Sequence, residues 1–249
     1  WATGLDMFFP LWSREGTTEE FIARLRDPSL QDRLRAEVMV KQTELGSWDK
    51  VLISSVATDK NRPLEGMNVL DASVRAGQAP YDFMRDLLVE ETGRVGMITF
   101  AMSEDHLKVL LAHPLVGVGS DGSAVAPYGP LAKGKPHPRF YGTFPRVLGK
   151  YVREEKVVPL EEMIRKMTAM PAAHLGFVRR GMLKVGWAAD VCVFDPERVI
   201  DKATFTEPAV YPEGIRQVVV NGEVVVDEGR HTGRLPGRVL RKNSRGAVA

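Results

Sequence analysis

The order of apolar and polar residues predicts two amphipathic helices in the first 48 residues. Thr17 followed by Glu19 and Glu20 is typical of a helix start, because a hydroxyl group can cap the free backbone N–H groups. Pro28 interrupts the helical spacing, and a second helix is predicted from about residue 30 to residue 40. The apolar positions on these helical faces are Phe21, Ile22, Leu25, Leu34, Val38 and Val40.

Short apolar runs predict buried strands at residues 51–56, 95–100 and 115–119. Helical patterns separate these runs and continue after them. They lie at residues 69–91, with breaks at Gly77 and Pro80, and at 103–112, 144–155 and 159–174. Because strands and helices alternate, we expect parallel βαβ units in an α/β fold.

The pattern changes after Gly181 and predicts a small antiparallel β unit. Residues 191–194, 218–220 and 224–226 are short runs rich in valine. Asn221-Gly222 lies between the last two runs and is typical of a type I′ hairpin turn. From about Arg241 the chain is basic, and we expect a frayed end there.

Charge and composition exclude several classes of function. The chain has 249 residues, and its 34 basic and 32 acidic side chains give a net charge of +2, so no strong positive field favours nucleic acid. No run approaches the ~20 apolar residues of a membrane span, and the first residues show no basic segment followed by an apolar signal region. The single cysteine, Cys192, is expected to be a buried core thiol. We therefore expect a cytoplasmic protein with no nucleic-acid or membrane partner.

The chain begins with Trp1 and passes at once into an apolar and aromatic run at residues 5–12. Such a run would make an unusually adhesive free terminus. We therefore expect further residues upstream of Trp1.

Asp121 is the first candidate for chemistry. It follows the predicted strand at 115–119 and is flanked by Ser120 and Gly122. In α/β barrels, the carboxyl ends of the strands carry the active site. Asp-Gly pairs are also common in plain turns, so this motif alone leaves a catalytic aspartate and a turn residue as equal alternatives.

A longer motif downstream favours the catalytic alternative. Residues 134–148 contain His137-Pro138-Arg139 followed by Gly-Thr-Phe-Pro-Arg-Val-Leu. Together with the Ser-Asp-Gly turn, this segment resembles the D-aminoacylase and N-acyl-D-amino-acid deacylase family of the amidohydrolase superfamily. The resemblance covers essentially the whole chain and corresponds to the C-terminal half of family members. Its further motifs are Arg-Lys-Met-Thr at 165–168, Gly-Trp-Ala-Ala-Asp at 186–190, Asp-Lys-Ala-Thr-Phe at 201–205 and Val-Asn-Gly at 220–222.

The resemblance implies a fold and an activity. The fold is the C-terminal part of a (β/α)₈ TIM-type barrel, followed by part of a small antiparallel β-sandwich domain. Residues 1–180 would be the barrel portion, with a helical lid-like insertion near 5–48, and residues 181–249 would be the β-sandwich portion and basic tail. The activity is zinc-dependent hydrolysis of the amide bond of small N-acyl-D-amino acids, with one or two Zn²⁺ ions in the completed enzyme.

The same resemblance assigns roles to four residues. Asp121 matches the aspartate that transfers a proton in the family, and it is also a candidate metal ligand. Arg139 matches the arginine that pairs with the substrate's α-carboxylate, for which a guanidinium fork has the right shape. His137 belongs to the same motif as a candidate substrate-binding residue. Thr3 is a further candidate for contact with the carboxylate.

The other metal ligands of the family have no counterpart in this sequence. Family members carry a His-x-His pair, a bridging Cys or Glu and two later histidines. The five histidines here show neither His-x-His nor helical His-x-x-x-His spacing, and apart from His137 we expect them to be structural or exposed. We therefore expect an N-terminal half, as a separate chain or a missing segment, to supply the ligands. It would also cover the open strand edges of half a barrel.

Two alternatives stay open. A dihydroorotase-like or imidase-like enzyme for cyclic amides would share the motifs near the C-terminus, which are common among amidohydrolases. A catalytically inactive structural subunit would explain the absent metal ligands. The His-Pro-Arg segment favours linear amides because it is not generic, and the presence of both Asp121 and Arg139 speaks against an inactive subunit.

Overall fold

The computed structural model describes residues 2–242, and Trp1 and most of the predicted basic tail lie outside the described residues. The chain divides into two compact units whose sequences interleave. Unit 1 takes residues up to 102 together with 126–137 and 205–209, and unit 2 takes 103–125, 138–204 and the residues from 210 onward. Residues on both sides of position 180 belong to unit 2, so a domain boundary at 180 stays a prediction.

Helices and strands both contribute to the fold, as expected for an α/β chain. The helices are α1 (Leu11–Arg14), α2 (Thr18–Arg26), α3 (Gln31–Leu45), α4 (Val69–Ala76), α5 (Pro80–Glu90), α6 (Glu104–Ala112), α7 (Arg139–Arg146), α8 (Leu160–Met167) and α9 (Ala169–Leu175). The strands are β1 (Ala2–Gly4), β2 (Val51–Ser55), β3 (Gly96–Thr99), β4 (Val191–Phe194), β5 (Ile215–Val220), β6 (Glu223–Asp227) and β7 (Arg230–His231). Within residues 2–242, no helix is both long enough and apolar enough to cross a membrane.

Unit 1 contains a three-stranded sheet in the order β1-β3-β2. Strands β2 and β3 confirm the predictions at 51–56 and 95–100, but both strand pairs are antiparallel, so the prediction of parallel βαβ units is wrong for this sheet. Two helices, α4 and α5, connect β2 to β3. Two successive helices can carry the chain out and back to the same end of the sheet, whereas a single helix carries it across to form a parallel pair.

Residues 5–48 contribute directly to the core of unit 1. Helix α2 has the predicted capped start, and the cap is a capping box, in which the side chain of Thr17 accepts from the N–H of Glu20 and the side chain of Glu20 accepts from the N–H of Thr17. The apolar faces of α2 and α3 pack in the same cluster as the central strands. Its most buried members include Leu5, Phe9, Leu25, Leu34, Trp48, Ile53 and Met97. This segment is therefore part of the folded unit, and a role as a lid stays a prediction.

The predicted strand at 115–119 is absent from the structure. Residues 116–120 follow the end of α6 without regular secondary structure. Leu115 is 80% exposed, and Val116 and Val118 are only half-buried. A strand needs neighbouring strands for its backbone hydrogen bonds, and the described residues place none beside this run. The prediction failed because an apolar run indicates that a segment is buried, but it does not provide a neighbouring strand to which the segment can hydrogen-bond.

Unit 2 contains a four-stranded antiparallel sheet in the order β4-β5-β6-β7, as predicted for the residues after Gly181. Asn221 and Gly222 connect β5 to β6 with φ angles of +48° and +86°. Positive φ at both central residues is the requirement of a type I′ turn. The predicted hairpin is therefore confirmed.

A hydrogen-bond network joins this hairpin to the Gly-Trp-Ala-Ala-Asp turn. The guanidinium of Arg180 pairs with Asp190 and donates to Oδ1 of Asn221 at 2.7 Å. The backbone N–H of Asn221 donates to Oδ1 of Asp190 at 2.9 Å, and that of Gly222 donates to the carbonyl of Ala189 at 3.0 Å. Two motifs that lie 31 residues apart in the sequence are thus one structural feature.

Cys192 is exposed, so the prediction of a core thiol is wrong. β4 is an edge strand with β5 as its neighbour, and Val218, which lies opposite Cys192, is itself only half-buried. An apolar run predicts a strand, but it does not say which face a second layer covers.

Glu91 holds the loop after β2 in unit 1. Its carboxylate is 1% exposed and accepts from the N–H groups of Ala57 at 2.5 Å and Thr58 at 2.9 Å, from the Thr58 hydroxyl, and from the side-chain amide of Asn61 at 2.7 Å. Burial by itself would raise the pKa of the Glu91 carboxyl, but the hydrogen bonds from Thr58, Asn61 and Ala57 hold this pKa below its usual value. The ionised carboxylate therefore stabilises the folded unit.

We expect Glu91→Gln to lower the free energy of unfolding by ~2 kcal/mol at pH 7, because an amide turns N–H groups toward donors that need acceptors. The folded-state pKa of Glu91 is depressed, so its contribution is complete above the unfolded value and is lost as the pH falls through the folded-state pKa. Urea denaturation from pH 7 down to pH 3 should show wild type and variant converging in acid. Glu44→Gln is the matched control, since Glu44 forms an exposed pair with Lys41 at the surface. If the difference in unfolding free energy between wild type and Glu91→Gln did not change with pH, the ionised carboxylate of Glu91 would not be the stabilising group.

Candidate functional site

Asp121 and Arg139 form a direct pair in unit 2. The Asp121 carboxylate lies 2.7 Å from Nη2 of Arg139, and Nε of Arg139 donates to the backbone carbonyl of Asp121 at 2.9 Å. One guanidinium therefore binds both the side chain and the backbone of Asp121. The sequence predicted a catalytic role for Asp121 and a substrate-binding role for Arg139, and the structure brings these two residues together.

The turn that carries Asp121 has an unusual backbone. Asp121 has φ of +48°, a left-handed conformation that aspartate tolerates better than most residues. Ser120 accepts from the N–H of Gly122 at 3.2 Å and closes the turn. A Cβ at Gly122 would lie 3.3 Å from Cα of Phe140, so the turn packs closely on the start of α7. The side chain of Asp121 is 86% exposed and accessible to a ligand.

Arg139 is the first residue of α7, directly after Pro138. Its side chain is 18% exposed, with its Cζ atom 5.7 Å from the ring of Phe140. The hydroxyl of Thr143 donates to the carbonyl of Arg139 at 2.9 Å, within the first turn of the helix. The side chain is thus held at a helix end and not on a loop, which suits a residue that must present a fixed guanidinium fork.

The glycine of the Gly-Thr-Phe-Pro-Arg motif allows α7 to approach the Asp-Lys-Ala-Thr-Phe motif. A Cβ at Gly142 would lie 2.6 Å from Cβ of Asp201, and Asp201 pairs with Arg146 at 3.3 Å. Pro145 then lies inside the helix, which continues as the π-helix Val147–Glu154. The motif residues therefore fix the position of the helix that begins with Arg139.

His137 and Thr3 lie in unit 1. The ring of His137 contacts Phe205 edge-to-face at a centroid distance of 5.1 Å, and Phe205 contacts Phe100 in the same way at 4.6 Å. Thr3 lies on β1 opposite Met97 of β3. Sequence reasoning noted Phe205 only as part of a motif, and the structure shows that it packs against His137.

A family model for the amidohydrolases matches residues 68–226. The chain belongs to the amidohydrolase family. Two proteins of Alcaligenes xylosoxydans xylosoxydans are similar to it. A D-aminoacylase is 40% identical over 181 residues, or 73% of this chain, and an N-acyl-D-glutamate deacylase is 43% identical over 149 residues, or 60% of this chain.

A solved relative shares the fold of this amidohydrolase. The crystal structure of an N-acyl-D-glutamate deacylase from Bordetella bronchiseptica, complexed with zinc and a phosphonate mimic of the tetrahedral intermediate, is 38% identical with a TM-score of 0.64. The match covers 76% of this chain and 38% of that one. The amidohydrolase chain spans about a third of the length of the curated relatives it matches, 35% of the D-aminoacylase and 29% of the deacylase.

The described residues of this amidohydrolase do not fit a metal ion. No group of three or more His, Cys, Asp and Glu side chains comes together within residues 2–242. Asp121, the one candidate ligand, faces a guanidinium. As predicted, the other histidines of the amidohydrolase are exposed. They are His106, His113, His174 and His231.

Besides Glu91, Lys166 is a buried charged residue, and the sequence analysis noted it only as part of the Arg-Lys-Met-Thr motif. Lys166 in α8 is fully buried and donates to backbone carbonyls at the end of α6. The available signal was its position, because Lys166 lies three residues after Met163 on the apolar face of the helix. A lysine at such a position needs partners for its ammonium group, which sequence spacing alone does not identify.

We expect Gly142→Ala to destabilise the amidohydrolase by about 1–3 kcal/mol, because the new methyl group would collide with Asp201 and push α7 away. Gly119→Ala is the matched control, since a Cβ at Gly119 meets no atom within 4 Å. Thermal unfolding of both variants measures the difference. Equal melting temperatures for the two variants would show that α7 does not depend on this close approach.

Proposed function

We propose that this amidohydrolase chain is part of a metal-dependent enzyme that hydrolyses the amide bond of N-acyl-D-amino acids. The pairing of Arg139 with Asp121 is the observation that carries the proposal. In an N-acyl amino acid, one carbon separates the carboxylate from the amide nitrogen. A site for this substrate therefore needs a carboxylate-binding group and a proton-transferring group within a few ångströms of each other.

The two residues act in sequence in this proposal. Arg139 binds the substrate's α-carboxylate through its guanidinium fork, and the substrate replaces the Asp121 carboxylate in doing so. Released from the ion pair, Asp121 accepts a proton as water adds to the amide carbonyl carbon. It returns a proton to the nitrogen as the carbon–nitrogen bond breaks. His137 and Thr3 are proposed as further substrate contacts.

The relatives supply the support for a metal ion in this proposal. The deacylase structure contains zinc, and we propose one or two Zn²⁺ ions for the active form of this enzyme. We place the remaining ligands in an N-terminal portion, within the part of the relatives' length that this chain does not match. In that complete enzyme, residues 1–180 would be the C-terminal portion of a (β/α)₈ barrel with a lid near 5–48, and residues 181–249 part of a small β-sandwich domain.

The proposal is tested by assaying the chain alone and together with the proposed N-terminal portion. Release of amino acid from N-acyl-D-amino acids, dependent on zinc and confined to the complete form, is the expected result. A dihydroorotase of Lactobacillus gasseri is 33% identical over 97 residues, 34% of this chain and 23% of its own, so a cyclic amide is the second substrate to assay. Activity on the cyclic amide alone would refute the proposal, and inactivity on both substrates would favour a structural subunit.

We expect Asp121→Asn to abolish turnover and leave metal content and melting temperature nearly unchanged. Asparagine tolerates the left-handed backbone at this position, and the lost ion pair is exposed and contributes little to stability. Steady-state kinetics, metal analysis and thermal unfolding of the same preparation measure the three quantities. Turnover that persists in the variant would remove the proton-transfer role.

We expect Arg139→Lys to lower kcat/KM for the N-acyl-D-amino acid by about 10- to 100-fold, because a single ammonium group cannot form two parallel bonds to a carboxylate. An N-acyl amine that lacks the α-carboxylate is the matched control substrate. Wild type and variant should hydrolyse it at equal, low rates. An equal loss with both substrates would show that Arg139 does not act on the carboxylate.

A further inference from the structure

Lys166 is a fully buried lysine that fastens α8 to the end of α6. Its ammonium group donates to the backbone carbonyls of Leu111 and His113, the latter at 2.8 Å. Leu111 lies in the last turn of α6, and His113 is the residue that caps this helix. The two carbonyls belong to the set that a helix end leaves without intrahelical partners.

Two opposing electrostatic effects act on the ammonium group of Lys166. The C-terminal end of a helix carries partial negative charge, so an ammonium group at the end of α6 is stabilised there. Burial holds the pKa of Lys166 below its usual value, and nearby Arg165 acts in the same direction, whereas nearby Glu162 acts in the opposite direction. A buried polar group without partners is strongly unfavourable, which makes the position of the two carbonyls and that of the lysine depend on each other.

The chain beyond α6 stays attached to α8 and α9. Nη2 of Arg165 donates to the carbonyl of Pro114 at 3.3 Å. A Cβ at Gly117 would lie 3.3 Å from the carbonyl oxygen of Lys166 and 3.2 Å from Cε of Met170, so the backbone passes close to both helices. Residues 111–117 thus run along α8 and α9, and the Asp121 turn follows four residues later.

This attachment matters because the segment before Asp121 has no regular secondary structure to hold it. Residues 116–120 form neither helix nor strand, so their path depends on contacts made by side chains. Arg139 binds Asp121 itself, but a substrate carboxylate would compete for the same guanidinium. The contacts from α8 do not involve this guanidinium, so they persist whichever carboxylate the guanidinium binds.

We propose that Lys166 is a positioning residue for Asp121, which fixes the chain leading into the turn while the carboxylate exchanges partners. The inference rests on the proposed function. Lys166 contacts neither Asp121 nor Arg139 in these hydrogen bonds, and it acts through the backbone of residues 111–117.

The test compares Lys166→Met with Met163→Ala in the native enzyme. Lys166→Met removes the ammonium group but keeps an unbranched side chain. Met163→Ala keeps the bonds from Lys166 to Leu111 and His113 but opens a cavity at an equally buried position of α8. The assays are run well below the melting temperature of both variants. Lys166→Met should lower kcat by about 10- to 100-fold, with KM within about twofold, and Met163→Ala should leave kcat within about twofold of wild type.

Hydrogen exchange of the backbone amides of residues 113–122 is measured on the same proteins without substrate. Faster exchange in Lys166→Met than in Met163→Ala is the expected result. An unchanged kcat in Lys166→Met, or an equal loss of kcat in both variants, would overturn the proposal. If the wild-type enzyme hydrolyses no N-acyl-D-amino acid, the proposed function fails, whereas the exchange rates still decide whether Lys166 holds this segment.

A second pair of variants, with smaller changes at more exposed side chains, tests the proposal if Lys166→Met does not fold. Arg165→Gln removes the bond to Pro114 from a partly exposed side chain, and Glu162→Gln breaks the ion pair between Glu162 and Arg165 but leaves the donor of the bond to Pro114 in place. The first should lower kcat by about two- to fivefold, and the second should leave it unchanged. Equal values of kcat for the two variants would argue against anchoring from α8.

Discussion

The guanidinium of Arg139 holds the Asp121 turn by two bonds, and the candidate site depends on this interaction. One bond goes to the carboxylate and one to the backbone carbonyl, so opening the ion pair does not by itself release the turn. A guanidinium can make both bonds because its donors lie in a fixed plane, whereas an ammonium group offers no such fork. In the proposed function, the same fork binds the substrate's α-carboxylate.

The precision of this pair comes from packing at some distance from it. Gly142 lets α7 approach Asp201, and this approach sets the position of the helix whose first residue is Arg139. Lys166 and Gly117 hold the chain that leads to Asp121 close to α8. Two helices therefore define the pair, each fixed by contacts between residues far apart in the sequence.

The family motifs have separate physical reasons in the structure. The Gly-Trp-Ala-Ala-Asp turn and the Val-Asn-Gly hairpin form one network around Arg180. The His-Pro-Arg segment divides between the units, since His137 packs on Phe205 in unit 1 and Arg139 begins α7 in unit 2. The Gly-Trp-Ala-Ala-Asp and Val-Asn-Gly motifs therefore stabilise the fold, whereas the His-Pro-Arg segment carries a residue of the candidate site.

The sequence by itself determined the features that depend on near neighbours in the chain. The capping box at Thr17 and the type I′ turn at Asn221-Gly222 follow from residue types at fixed short spacing, and the motif at 134–148 predicted the family. The roles of Asp121 and Arg139 could be predicted individually, but not their pairing.

Only the tertiary structure decided the features that depend on distant partners. The direction of β3 relative to β2 follows from where α4 and α5 return the chain, and the exposure of Cys192 follows from its place on an edge strand. The burial of Lys166 is favourable only because carbonyls from α6, more than 50 residues earlier, end beside it. Local patterns specify turns and helix starts. Packing and hydrogen bonding across the fold decide the partners of each element, and they also decide whether an apolar run such as 115–119 becomes a strand.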